Sequence, residues 1–298
     1  MLFVVSVVTF GMLAAAGGDA LTALSENPQI SHGTVERLRT VYGLDRPVTA
    51  RYFSWLGGSI RGDLGESFLY RTPVLDLLIS RLVNTAILAI LGMLIALLIA
   101  IPSAYWICKT RSRSLDRIAD LIVSLSASVP RMVAALVALL FLISISGRTF
   151  AGSRSPAALV AGAFVIALPV IAVLLAQAKG ELTRTSEMAF IQFARAKGLS
   201  ERAVILRHSS REALDPILTL AGLSIGNMVS GSVVVETILG WPGIGSLMVA
   251  AVKGRDVALV MGIVIATSIV VWTANTVAEI LQMVNDPRLR GAEAKTDR

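Results

Sequence analysis

The sequence predicts an all-α, polytopic membrane protein with about six transmembrane helices. Three observations predict it. Of the 298 residues, 55% are apolar and only 16% are charged, with a mean hydropathy of +0.74; soluble domains carry about 25% charged residues. The shortage of charge is concentrated in long runs rather than spread along the chain. Those runs reach the ~20 residues that a helix needs to cross hydrocarbon with its backbone groups bonded internally.

The runs follow one another in a simple order. Met1–Ala16 is apolar but slightly short, and no basic residues precede it. It lacks the charged start and the clear cleavage site of a signal peptide, so it reads as a first transmembrane helix whose start is missing or misassigned. Gly17–Arg81 mixes polar residues with Gly and Pro around an amphipathic helix near Thr34–Tyr42, and is too small for a catalytic domain. Leu82–Ile107 has no charge; Ile118–Ile145 holds Asp120 near one end and Arg131 near its middle; Ala157–Ala178 is clean. Leu214–Thr237 carries Asp215 and Glu236 at its ends, and Val257–Val284 carries Glu279 near its end. The domain plan is therefore 1–81 for the first helix and an extracytoplasmic segment, 82–284 for the transmembrane domain, and 285–298 for a cytoplasmic tail.

Six spans put both termini on one side. With the N-terminus inside, the inner segments Cys108–Arg117, Lys179–Ala213 and Asn285–Arg298 carry 15 Lys/Arg in 59 residues. The short outer links Ser146–Pro156 and Leu239–Asp256 carry four in 29. Short loops rich in Lys/Arg stay in the cytoplasm, so the termini are expected to be cytoplasmic. The same placement disposes of nucleic acid as the reason for the net charge of +7, because the basic residues sit between spans as topology signals.

The inner segment 179–213 holds the densest polar pattern. Thr185-Ser186-Glu187 reads as a helix start, with an N-cap hydroxyl and an acid at the positive end of the dipole. The helix carries Met188, Phe190, Ile191, Phe193, Ala194, Arg195, Ala196 and Lys197, and stops at Gly198, a left-handed terminator. Ser200-Glu201 starts a second helix in which Arg207, His208 and Arg211 form one basic face. Two short helices joined by a glycine make a docking lug; an ordinary amphipathic interfacial loop reads the same residues equally well.

Nothing catalytic is present. His32 and His208 fall on opposite sides of the membrane, the one cysteine is Cys108, and no Gly-Lys dipeptide exists from which to build a phosphate-binding P-loop. No cofactor is expected, and any ATP must be hydrolysed by another chain.

The stretch Ala194-Arg195-Ala196-Lys197-Gly198-Leu199-Ser200, followed by Arg207-His208, Arg211, Ala213-Leu214 and Pro216, resembles the cytoplasmic coupling motif of ABC importer permeases. More narrowly it resembles the dipeptide, oligopeptide and nickel permease family. Gly43-Leu44-Asp45-Arg46-Pro47, Arg61-Gly62-Asp63-Leu64-Gly65, Val233-Val234-Val235-Glu236-Thr237, Gly240-Trp241-Pro242-Gly243-Ile244-Gly245 and Asp286-Pro287-Arg288 match in order, so the resemblance covers nearly the whole chain. It implies the ABC type I importer permease fold, a second homologous permease subunit, two cytoplasmic ATPase subunits and an extracytoplasmic substrate-binding protein. The implied function is a path for di- and oligopeptide-like substrates across the cell (inner) membrane, with nickel or metal-chelate import as the alternative cargo and a non-transporting anchor as the alternative class. The coupling helix would enter a groove on an ATPase. This chain departs from the pattern in its short first helix, in a short link after Ile145, in Arg131 after Pro130, and in Gln192-Phe193-Ala194, where only the last position matches.

Two membrane residues stand out. A charge inside a span is costly and faces a cavity or a partner. Arg131 is expected to line the path and attract a substrate carboxylate, to pair with the sister permease, or to be solvated locally at the Pro130 break. Glu236 belongs to an outer gate, as the resemblance suggests, or is a plain interfacial acid. Trp241 and Pro242 shape a re-entrant turn, or Trp241 sits at the interface as Trp commonly does. An intramembrane enzyme would need paired acids or histidines at matched depth, and a channel an acidic ring or filter sequence; neither is evident.

Overall fold

The computed structural model describes residues 2–16, 21, 32–41, 43–110, 112–147, 154–186, 188–198 and 210–285, and every regular element among them is helical. The elements are α1 (Leu2–Ala15), α2 (His32–Val41), α3 (Val48–Ile60), α4 (Val74–Thr110), α5 (Arg113–Ser128), α6 (Arg131–Ser146), α7 (Pro156–Ser186), α8 (Ala189–Ala196), α9 (Ser210–Leu239), α10 (Ile244–Lys253) and α11 (Val257–Asn285). Four helices are long and apolar enough to cross a membrane, and α5 with α6 makes a fifth span if the bent pair counts as one. The apolar α1 is shorter, about 21 Å at 1.5 Å per residue, so four or five helices long enough to span are roughly consistent with the six expected.

The run expected as one span over 118–145 is a broken one. Pro130 has no N–H to continue the ladder and its ring crowds the preceding turn. Val129 before it takes the extended conformation that proline imposes (ψ 117°), and the two helix segments meet at 98°. The stretch between α1 and α4 also holds more helix than expected: besides α2, near the anticipated 34–42, there is α3. Its signal was present in Val48, Tyr52, Trp55 and Leu56, spaced as one helix face, directly after Pro47.

The chain forms two compact units, residues 1–85 with 242–270 and residues 86–241 with 271–298. In the second, α7 is the central helix. Its buried positions run along almost its whole length, from Ala158 to Thr185. Ala96, Ala100 and Ala104 of α4 pack with Ala167, Ile171 and Leu174 of α7. Small residues let two backbones approach where lipid supplies no hydrophobic drive for association. The approach is close: a Cβ on Gly92 would lie 2.8 Å from Ile166 Cγ1 and 3.1 Å from the Ala163 carbonyl. Trp241 is buried in a second cluster with Leu88, Val235 and Leu239, so its interfacial reading is corrected to a core role.

In the first unit, Val74 and Leu78 of α4 pack with Leu247 and Ala251 of α10 and Leu259 and Ile263 of α11. Buried polar groups fix the links. Asn84 Nδ2 donates to the Pro242 carbonyl (2.7 Å), and Ile244 N donates to Thr85 Oγ1 (2.8 Å).

Candidate functional site

The C-terminal end of α7 is tied to α5 by charge. Lys179 Nζ lies 2.8 Å from Asp116 Oδ1 and 2.7 Å from Asp120 Oδ1. Beyond it, Thr185 and Ser186 do not start a helix, as expected, but finish α7. Thr185 Oγ1 donates to the Glu181 carbonyl and Ser186 Oγ to the Thr183 carbonyl, each at 2.7 Å. Hydroxyls bond backward to the i−3 or i−4 carbonyl when the preceding turn is already helical. The next helix opens instead on the Met188 carbonyl, which accepts from Ile191 N (3.0 Å) and Gln192 N (3.1 Å).

That helix is α8. Ile191 is its buried anchor, whereas Phe193 is 62% exposed. Lys197 Nζ stands 4.7 Å from the centre of the Phe193 ring, a cation–π contact. Ala194 and Arg195 belong to the α8 backbone, Ala196 is exposed, and Gly198 follows at φ +81°. Glycine takes that left-handed conformation without a Cβ clash, which is why the helix stops where the sequence placed its end. Arg207 and His208 lie outside the described residues; Arg211 sits in the first turn of α9.

Arg131 and Glu236 are both in the second unit but in different settings. Arg131 is half-buried at the start of α6, and its guanidinium lies on the α9 backbone at Gly231. A Cβ there would fall 2.6 Å from Arg131 Cζ and 3.0 Å from Nε. Among the described residues the guanidinium has no hydrogen bond or ion pair. It borders a cavity of about 150 Å³ with Ser126, Val129 and Pro169. Pro169 removes the N–H that would bond the Val165 carbonyl, and Val165 lines the same cavity.

Glu236 is fully buried within the chain. Its carbonyl accepts from Trp241 N (2.9 Å) across Gly240 at φ +69°, a six-residue closure that ends α9. Sequence reasoning missed Gly231, the Asn84–Thr85 pair, and Asp256, which is 1% exposed. The polar pair at the start of an otherwise apolar run was a readable signal for Asn84 and Thr85; nothing in the sequence marked Gly231.

The sequence profile of the family described as binding-protein-dependent transport system inner membrane component matches residues 92–291. The oligopeptide transport system permease protein AppB of Bacillus subtilis (strain 168) is 30% identical, with 96% of this chain and 94% of that protein covered. The glutathione transport system permease protein GsiC of Escherichia coli O6:H1 is 28% identical, with 97% and 94% covered. A solved structure of the methionine ABC transporter MetNI in an inward-facing conformation matches with a TM-score of 0.62 at 16% identity, over 71% of this chain and 97% of that one. At that identity the likeness concerns the fold alone.

Proposed function

The chain belongs to the family of binding-protein-dependent transport system inner membrane components, and from that premise we propose that it carries peptide-like cargo and is driven through α8. It is a multi-pass transmembrane permease subunit of an ABC importer, with the fold of such subunits. Its partners in this reading are a second homologous permease, two cytoplasmic ATPase subunits that hydrolyse the ATP, and an extracytoplasmic binding protein that delivers substrate. Both termini are cytoplasmic, as the Lys/Arg distribution favours. In a Cys108→Ser background, a cysteine at Asp45 should label from outside and one at Ser112 only after permeabilisation; labelling of position 112 from outside reverses the orientation.

The observation that carries the coupling role is the exposure of Phe193 on a short helix whose neighbour Ile191 is fully buried. A helix with one anchored and one open apolar side chain fits a groove on another protein. Closure of the ATPase pair would pull α8, and the Lys179 link to Asp116 and Asp120 would pass that movement to α5 as well as along α7. Inward-open and outward-open states then shift in population.

The unpaired guanidinium of Arg131 favours a cargo with a carboxylate, which a short peptide supplies at its C-terminus. The coupling test is Phe193→Asp in the reconstituted importer. The ATPase subunits should no longer co-purify with the variant while the sister permease still does. Full retention of the ATPases with normal uptake would remove α8 from the interface.

A further inference from the structure

We propose that the first unit contains a second binding site, a receiving pocket for a short zwitterionic peptide, separate from Arg131. It is a cavity of about 580 Å³, within the range of about 300–1,000 Å³ usual for small-molecule sites. Two sequence motifs to which the coupling argument gives no role meet in its lining. Gly43, Leu44 and Arg46 come from the first, Asp63 and Gly65 from the second.

Three side chains in the lining, Trp55, Arg46 and Arg51, carry donors without a partner among the described residues. Trp55 Nε1 is buried without a hydrogen-bond partner. A buried donor left unsatisfied is destabilising, and native structures supply it with an acceptor. The guanidinium groups of Arg46 and Arg51 have no hydrogen bond or ion pair among the described residues, and both face the same cavity. Arg255 lines it from a left-handed backbone at φ +51°, a conformation that non-glycine residues adopt at a cost and that clusters at functional sites.

The wall is rigid. Asp256 accepts from Ser67 Oγ (2.6 Å), Leu69 N (3.0 Å) and Leu259 N (3.1 Å), pinning the strap from Glu66 to Leu69 onto the start of α11.

The charges decide the ligand class. An indole N–H and unpaired guanidinium groups ask for an oxyanion. The Glu66 carboxylate, also in the lining and without a partner among the described residues, asks for a cation. A lipid phosphate would meet Asp63 and Glu66 and be repelled by them. A free peptide uses both signs: its carboxylate goes to the arginines and Trp55, its ammonium to Glu66, and its apolar side chains lie along Phe10 and Phe68. The proposal rests on the peptide-cargo reading above, but it does not depend on orientation.

The test uses the whole importer complex in phosphatidylcholine nanodiscs without the binding protein, with tri-alanine as probe and saturation-transfer NMR on its methyl groups. Tri-alanine should bind, and its C-terminal amide and N-acetyl forms should bind about tenfold more weakly, the loss expected for one charge-assisted hydrogen bond. Arg51→Gln and Trp55→Phe should weaken tri-alanine to the same degree, and Lys109→Gln, outside the lining, should not. If Trp55→Phe fails to assemble, Arg46→Gln replaces it. Equal binding of acid and amide, unchanged binding in the Arg51 and Trp55 variants, an equal loss in Lys109→Gln, or displacement by phosphatidylglycerol would each overturn the site. The two readings fail differently. If the cargo is not peptide, uptake of every peptide is absent while tri-alanine still binds here; if the pocket is wrong, uptake is intact and tri-alanine does not bind.

Discussion

The C-terminal end of α7 with α8 and the strap over Asp256 are built in opposite ways. At the strap, one buried carboxylate gathers three donors, two of them from residues 187 and 189 positions away in sequence. At α8, Ile191 N and Gln192 N donate to the nearby Met188 carbonyl, Ile191 is buried, and Phe193 stands open. A segment whose polar groups meet across the fold is fixed by the fold. A short helix that leaves an aromatic side chain exposed offers it to a partner, and in the proposed reading the difference separates scaffold from lever.

The sharpest way to break the contrast is Gly198→Val. A β-branched residue is strained at φ +81°, and among the described residues no atom stands within 4 Å of its Cβ, so the damage expected comes from backbone conformation. Uptake in reconstituted vesicles should fall to near background and stimulation of ATPase activity by loaded binding protein should disappear, with co-purification of the sister permease unchanged. Wild-type transport would make α8 an ordinary loop.

Asp256→Ala attacks the other side of the contrast. It leaves a buried hydroxyl, a buried backbone N–H and a part-buried one without their acceptor, at a cost of about 3 kcal/mol. Thermal unfolding in detergent should begin markedly earlier and the strap from Glu66 to Leu69 should become protease-sensitive. An unshifted transition would show that the strap is not held by this carboxylate.

A more modest effect is expected where Arg131 crosses α9. Gly231→Ala should displace the guanidinium, since the added carbon would overlap it. Discrimination between free and amidated peptides in uptake should then weaken by several-fold, matching Arg131→Gln, with the double variant no worse than either. Additive losses would mean that the two residues act separately.

The smallest effect belongs to Lys179→Met. The pair partners Asp116 and Asp120 are 50% and 65% exposed, and ion pairs in such settings contribute about 0.5 kcal/mol. Its thermal midpoint should barely move and should lose its dependence on salt, while the coupling ratio of ATP hydrolysed to substrate moved rises. An unchanged ratio would confine the link to structure.

How much of this was legible follows from the range over which each feature is decided. The apolar runs and the left-handed stop at Gly198 depend on run length and the missing Cβ of one residue, both properties of a short stretch of chain. The break at Pro130 was half legible: the proline was visible, but a kinked single span and a sharply bent pair have the same composition. Thr185 was misread because a hydroxyl caps a helix in front of it or bonds back into the one behind, and only the path of α7 selects between these.

What the tertiary structure alone decided is which distant groups meet. Gly231 matters because Arg131 arrives 100 residues away in sequence to lie on it, and Asp256 because Ser67 and Leu69 reach it. Glu236 and Trp241 carry side chains common at membrane interfaces, yet both are buried in the packed unit. The sequence by itself determined which runs are apolar enough to cross a bilayer, since lipid tests each helix on its own composition. Which polar groups are paired inside and which are left for a ligand was decided by packing, because a hydrogen bond or a steric gap exists only once both of its sides are in place.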